Sequence, residues 1–488
     1  MTQIFHEYYR KKSPVLKKSH YIKIMNTTFK KETQNQNMDF MLKSPIPKAI
    51  TKMAIPTVFS MLVMSVYGLA DIFFVSRLGT SASAAVGIVF SIMTMIQAAG
   101  FMLGVGAGSL ISRSMGAGNK EDADSVASVT FFSAIIGGLL LTTFGLIFKS
   151  DIMKILGATP SILPYAKDFS HYILLAAPVM CCSFVLNILL RTQGKPHFSM
   201  IGLSLGAILN IILEPIFIFK LNLGIGGAAI ATLISQSFGF VILLVMYLSG
   251  KNFAKIKISL FFLNAGKWFS KICFNGSSSL LRQGLVVIAN VLLNVNASKY
   301  GDSAVAGMSI SGRVFMLVIS IMFGLGQGFQ PVAGFCFGAN RYDRVKSAYI
   351  YTLVVSTVLQ GIFAFLLFKF ANPIMTIFQK ETDVVKIGSE AIRFFAISLP
   401  FLPLSIITNM LFQVCGQTKE SIFLSSCRQG VFFLPLIIIL PRFFNLTGLE
   451  LCQPIANIFS GLVAIPFVIS YFQKLSTKNF ITKSEIKK

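Results

Sequence analysis

Apolar residues in this chain come in long unbroken runs rather than alternating with polar ones. A hydrocarbon core of about 30 Å takes about 20 helical residues. Runs of that length fall at 53–75, 83–111, 125–148, 168–190, 198–219, 226–249, 273–297, 304–336, 347–370, 390–412, 420–441 and 449–472. Glycines and prolines inside them fit helices better than a transmembrane barrel, whose strands would be roughly ten residues of alternating polarity. The pattern predicts an all-α membrane protein with twelve transmembrane helices.

The pattern also repeats. Gly79-Thr80-Ser81-Ala82 returns as Gly301-Asp302-Ser303-Ala304, and Leu103-Gly104-Val105-Gly106 as Leu325-Gly326-Gln327-Gly328. Gly116-Ala117 returns as Gly338-Ala339, Leu189 and Gly194 as Leu411 and Gly416, and Gly226 as Gly448. Every pair keeps the offset that separates Gly79 from Gly301. Six spans separate equivalent points, so both halves enter the membrane in the same direction. They form a parallel repeat about a pseudo-two-fold axis along the membrane normal. The expected organisation is a flexible basic tail (1–47), an N-lobe of six helices (48–249), an inter-lobe linker (250–272), a C-lobe of six helices (273–472) and a second tail (473–488). Two six-helix lobes facing each other across a cavity is a transporter architecture.

Composition agrees: 54% hydrophobic residues, 12% charged and a mean hydropathy of +0.73 exclude a soluble globular protein. The net charge of +25 would suit nucleic acid, but its distribution does not. Lys and Arg are nearly three times as frequent in the tails and the loops on their side as in the opposite loops. Only Arg282 and Arg313 are left inside spans. This bias places both termini in the cytoplasm of a cell whose plasma or inner membrane holds the chain, with no nucleic-acid partner. The tail lysines Lys11, Lys12, Lys17, Lys18, Lys30 and Lys31 suit anionic lipid headgroups, and no signal-peptide core follows them. The linker carries Lys251, Lys255, Lys257, Lys267 and Lys271, read as a solvated or lipid-contacting face. Seven cysteines without metal spacing and four histidines, two of them in the tail, give a membrane enzyme little to work with.

Against this background two acids stand out. Asp71 and Glu214 are read as the only carboxylates well inside the spans. An ionised one at the bilayer centre costs at least about 2.5–3.5 kcal/mol, so a protein that keeps it uses it or pairs it. Asp71 precedes Arg77 by six residues and Glu214 precedes Lys220 by six, so each lies roughly 9 Å below the outer end of an outward-running helix. Asn210 is one turn from Glu214, and Thr232 reaches the same level on the sixth span. These four side chains suit a monovalent cation or a shared proton, because two carboxylates held together share a proton readily. The repeat puts Leu293 and Leu436 where the first half has Asp71 and Glu214, so the site belongs to the N-lobe alone.

Over residues 45–472 the chain resembles the multidrug and toxic compound extrusion (MATE) family of cation-coupled antiporters. The resemblance is carried by Pro56 with Asp71 fifteen residues on; Gly104-Val105-Gly106 through Ser112-Arg113 and Gly116-Ala117-Gly118; and Asn210-Ile-Ile-Leu-Glu214-Pro215. Gly226 to Thr232, Gln330-Pro331 with Gly338-Ala339, and Arg428-Gln429-Gly430 leading to Pro435 complete it. It implies a cation-coupling site of Asp71, Asn210, Glu214 and Thr232, with Pro56 marking a bend in the first helix. The same four residues would be metal ligands if Na⁺ is the coupling ion. The family usually has Asp where this chain has Glu214, and the added methylene moves the carboxylate by about 1.5 Å, so the resemblance leaves H⁺ and Na⁺ both open. It implies no cofactor beyond that ion, and a monomer that exports small organic cations and touches membrane lipids. The chain's 47 Phe and 20 Met suit a cavity for flat cations. Its main rival is a lipid-linked oligosaccharide flippase of the same superfamily, which requires a strongly cationic cavity for pyrophosphate, and the sequence offers only Arg282 and Arg313. A channel fits an off-axis site in one of two lobes less well than a carrier does.

Overall fold

In hydrocarbon every backbone N–H and C=O must be paired within the chain, so long apolar runs become helices. The computed structural model describes residues 40–249 and 252–486, and no strand occurs among them. The helices of the first half are α1 (Ile46–Ser76), α2 (Thr80–Gly116), α3 (Lys120–Ile147), α4 (Leu163–Thr192), α5 (Pro196–Lys220) and α6 (Gly224–Leu248). Those of the second are α7 (Ile258–Ala297), α8 (Asp302–Gly338), α9 (Tyr342–Lys369), α10 (Thr382–Cys415), α11 (418–444) and α12 (446–486). The last two would be one continuous rod but for Asn445, whose φ of 50° and ψ of −131° turn the chain between them. Short helices, Lys149–Ile155 and Ala371–Phe378, follow α3 and α9 at the repeat spacing.

Most of the expected flexible tail lies outside the described residues. Its last residues are docked: Met41 is buried and its carbonyl accepts a hydrogen bond from Arg344 at 3.1 Å. The linker is shorter than the sequence suggests, because α7 begins at Ile258. Residues 254–257 are pinned to the N-lobe: Ala254 N–H donates to Gln193 (2.8 Å), Lys255 N–H to Asp124 (2.7 Å) and Lys257 N–H to Ser128 (2.9 Å). The first turns of α7 are interrupted by Asn264, Lys267 and Lys271, which hid this stretch from a search for continuous apolar runs.

The repeated Leu-Gly-x-Gly motif explains how the lobes are built and joined. A Cβ on Gly104 would meet Ile188 of α4, and one on Gly326 would meet Met410 of α10, the repeat counterpart of Ile188. The second glycine of each motif faces the other lobe. A Cβ on Gly106 would lie 2.1 Å from Ile272 O of α7, and one on Gly328 would lie 2.5 Å from Ala54 Cα of α1. α2 therefore packs on α7 as α8 packs on α1. At the tail-bearing ends of α2 and α8 the contact becomes reciprocal: a Cβ on Gly116 would sit 2.1 Å from Phe335 O, and one on Gly338 would sit 2.1 Å from Arg113 O. Phe335 is the repeat counterpart of Arg113, so this crossing lies on the pseudo-two-fold axis. Thr57 adds a hydrogen bond across the lobes to Gly324 O at 2.7 Å.

Candidate cation-coupling site

Near the opposite end of the N-lobe, α1, α5 and α6 converge on a polar cluster. Pro56 is buried in α1, where Ser60 donates to its carbonyl at 2.9 Å, and Asp71 follows fifteen residues later. α5 carries Asn210 and Glu214 on one face. Pro215 then removes an N–H, and the helix runs on as a wider π-turn over Ile216–Lys220. α6 brings Thr232. All four expected site residues are buried together: Glu214 is fully inaccessible and Asp71 is 9% exposed.

The Asp71 and Glu214 carboxyl groups are electrostatic neighbours. Asn210, with its amide nitrogen toward Glu214, donates to Glu214 Oε2 at 3.2 Å. Its oxygen then accepts from the Thr232 N–H and hydroxyl at 3.3 and 3.1 Å. Asp71 Oδ1 and Glu214 Oε1 have no partner among the described residues. From Asn210 a narrow cleft with room for about one water, bounded by Met64, Tyr67, Gly206 and Ser235, continues between α5 and α6.

The C-lobe has no copy of this cluster. The repeat counterparts of Tyr67, Asp71, Asn210 and Glu214 are Ala289, Leu293, Phe432 and Leu436. All four pack in one apolar cluster of α7, α11 and α12. The duplicated fold thus holds a polar site in one lobe and a hydrophobic plug at the same place in the other.

Residues 56–216 and 279–439 each match the MatE family profile, one segment in each lobe, with an offset within one residue of the internal repeat. The chain belongs to the MatE family. Multidrug export protein MepA of Staphylococcus aureus (strain MSSA476) is 27% identical over 436 residues, which covers 89% of this chain and 96% of that protein. MepA of Staphylococcus haemolyticus (strain JCSC1435) is 26% identical over 445 residues, 91% of this chain and 98% of its own. Among solved structures, MATE in complex with MaL6 superposes with a TM-score of 0.85 at 27% identity, covering 90% of this chain and 99% of that one. An outward-facing MATE family multidrug resistance transporter of the MOP superfamily gives 0.85 at 28%, with 90% and 98% covered.

Three residues of this MatE chain escape a sequence reading. Tyr67 is one turn before Asp71, within hydrogen-bonding reach of Thr232 and close to both acids; its i−4 spacing from Asp71 was the available signal. Glu450 is a further buried acid, 1% exposed, with neither carboxylate oxygen partnered among the described residues. It sits five residues after the Asn445 turn, where hydropathy marks a span end. Arg428 corrects the reading that only Arg282 and Arg313 lie in spans: it is ten residues inside α11, whose π-turn Cys427–Phe433 begins one residue before it.

Proposed function

We propose that this chain is a multidrug efflux antiporter that exports organic cations in exchange for H⁺, cycling between faces by alternating access. The observation that carries the reading is the buried Asp71–Glu214 pair, held by Asn210 and Thr232 and open on one oxygen of each acid. A proton taken up between the carboxyls removes the negative charge that attracts a cationic substrate. The substrate leaves, the lobes rock about the pseudo-two-fold axis, and the proton escapes on the other side, along the cleft that leads away from Asn210. Linkage makes this reciprocal: what the proton does to substrate affinity, the substrate does to proton affinity. Two carboxyls held side by side favour H⁺ because they can share one proton, and Na⁺ is the alternative that the test below decides. The lysine and arginine bias supports a plasma or inner membrane location with both termini cytoplasmic, and the complete two-lobe unit supports a working monomer.

The test is efflux of a fluorescent organic cation from proteoliposomes under a proton gradient and, separately, a Na⁺ gradient. Wild type is expected to respond to the proton gradient, and Asp71→Asn to lose that response by at least about tenfold. A response to Na⁺ alone would replace the ion. No efflux under either gradient, from folded protein, would sink the drug-antiporter reading.

A further inference from the structure

Arg282 on α7 and Arg428 on α11 lie within a turn of the point where these helices meet in the C-lobe, where a Cβ on Gly430 would lie 3.2 Å from Leu285, and they are electrostatic neighbours. Arg428 lies ten residues into α11, roughly 15 Å from its tail-bearing end and so near the bilayer centre. Each charge there costs about 2.5–3.5 kcal/mol, and two adjacent like charges cost more than their sum. No carboxylate forms an ion pair with either guanidinium among the described residues. Arg282 Nε is buried without a hydrogen-bond partner, and so is Gln429 Oε1 beside Arg428. The Arg282 guanidinium stands over the Phe323 ring of α8, 5.1 Å from its centroid.

Three features separate this pair from ordinary structural arginines. Arg191 is buried where Arg282 and Arg428 are half-buried, and it is spent: it donates to Gln327 across the lobe interface. The repeat counterparts of Arg282 and Arg428 in the first half are Ser60 and Gly206, so the six-helix unit does not need the charges in order to fold. The π-turn of α11 spans Cys427–Phe433 and thus includes Arg428, whereas the N-lobe copy of that stretch is regular α-helix. Such a turn interrupts regular pairing and recurs at functional sites.

Two guanidiniums offer only donors, in a planar fork that matches an oxyanion. The acid pair of the N-lobe, by contrast, offers only negative charge and acceptors until it is protonated. The two sites stand on opposite lobes, and Arg428 lies eight residues before Leu436, the counterpart of Glu214, so their depths differ by roughly 12 Å at about 1.5 Å per residue. We propose that Arg282 and Arg428 form an oxyanion site that takes the carboxylate of substrates whose other end is cationic, with Phe323 stacking on their aromatic plane. This deepens the efflux reading and rests on it: the preferred substrate is zwitterionic and aromatic, its cation drawn by Asp71 and Glu214 and its carboxylate by the arginines.

Two dyes with one xanthylium cation separate these contributions, rhodamine 110 with a free carboxylate and rhodamine 123 as its methyl ester. Binding is read by fluorescence anisotropy on the full-length protein in dodecyl maltoside. Wild type is expected to bind the acid about tenfold more tightly than the ester. Arg282→Gln and Arg428→Gln are each expected to lower affinity for the acid about tenfold and so erase that advantage, with the thermal unfolding midpoint of each variant showing that it is folded, and Arg428→Lys is expected to retain part of it. Equal wild-type affinity for the two dyes overturns the proposal, as does an advantage that survives both Gln substitutions together. An advantage abolished by added phosphatidylglycerol makes the anion a lipid headgroup and ends the substrate assignment. Binding of neither dye by wild type defeats the efflux reading itself, whereas binding of the ester without preference for the acid defeats only the arginine site.

Discussion

At the scale of single residues the chain spends its few buried charges in three different ways. Asp124 is satisfied, accepting from the Lys255 N–H and lying 3.7 Å from Lys257 Nζ. Asp71 and Glu214 stand side by side, Glu214 held by Asn210, and each keeps one oxygen without a partner among the described residues. Glu450 has no satisfied oxygen among the described residues, and Glu390 of α10 is its electrostatic neighbour. Leaving a buried polar group unpaired costs about 1–3 kcal/mol, so Glu450→Met is expected to raise the thermal unfolding midpoint in detergent by a few degrees, on the order set by that energy. A lower midpoint would mean that the carboxyl has a partner, and a loss of efflux would put it in the transport cycle. At this scale the sequence was a partial guide. Asp71 and Glu214 stood out because apolar residues surround them on both sides. Glu450 did not, since hydropathy blurs within a few residues of a turn and the turn at Asn445 is set by packing; Arg428 lies inside the run 420–441 but does not interrupt it, because one charge leaves a long apolar run apolar.

Among the elements, α2 and α8 do the most to define the state seen here. Each presents one glycine to its own lobe and the next to the other lobe, and the close approaches all lie in the tail-bearing half of the molecule. That half is shut by backbone in contact with backbone, with no room for a side chain. Gly324 is a useful probe, since a Cβ there would lie 2.5 Å from Val58 Cα of α1. Overpacking of this kind costs about 1–3 kcal/mol, enough to move an open–closed equilibrium about 5- to 150-fold. Gly324→Leu in a Val58→Cys background is expected to speed modification of that cysteine by a membrane-impermeant maleimide added from the tail side. Background labelling should be low, because six of the seven native cysteines are buried and Cys273 is half-buried. An unchanged rate would show that the lobes stay apposed at this point throughout the cycle. The repeated motif was legible as a pattern, but its geometric reason was not: one sequence cannot say that alternate glycines face different lobes. Likewise α7 was placed too late, since its first turns carry Asn264, Lys267 and Lys271 and read as linker.

The molecule as a whole is symmetric in backbone and asymmetric in chemistry. The same six-helix unit carries acids and an amide in one copy, and an apolar plug with two unpaired arginines in the other. A twelve-helix carrier with an acid pair in one lobe and an arginine pair in the other has a built-in polarity across its midline, not only along the membrane normal. If the halves are joined mainly by the α1–α8 and α2–α7 contacts, covalent continuity between them matters less. Residues 1–253 and 254–488 expressed as separate chains are then expected to copurify and to restore gradient-driven dye efflux. Halves that fail to associate would show that the covalent link, and not the packing, holds the lobes together. The reciprocal crossing of Gly116 with Phe335 and of Gly338 with Arg113 carries a historical consequence. A patch that fits its own rotated image is what a homodimer requires, so a lone six-helix ancestor already owned a complete mating surface. Fusing two copies then freed each lobe to diverge in charge without having to invent an interface.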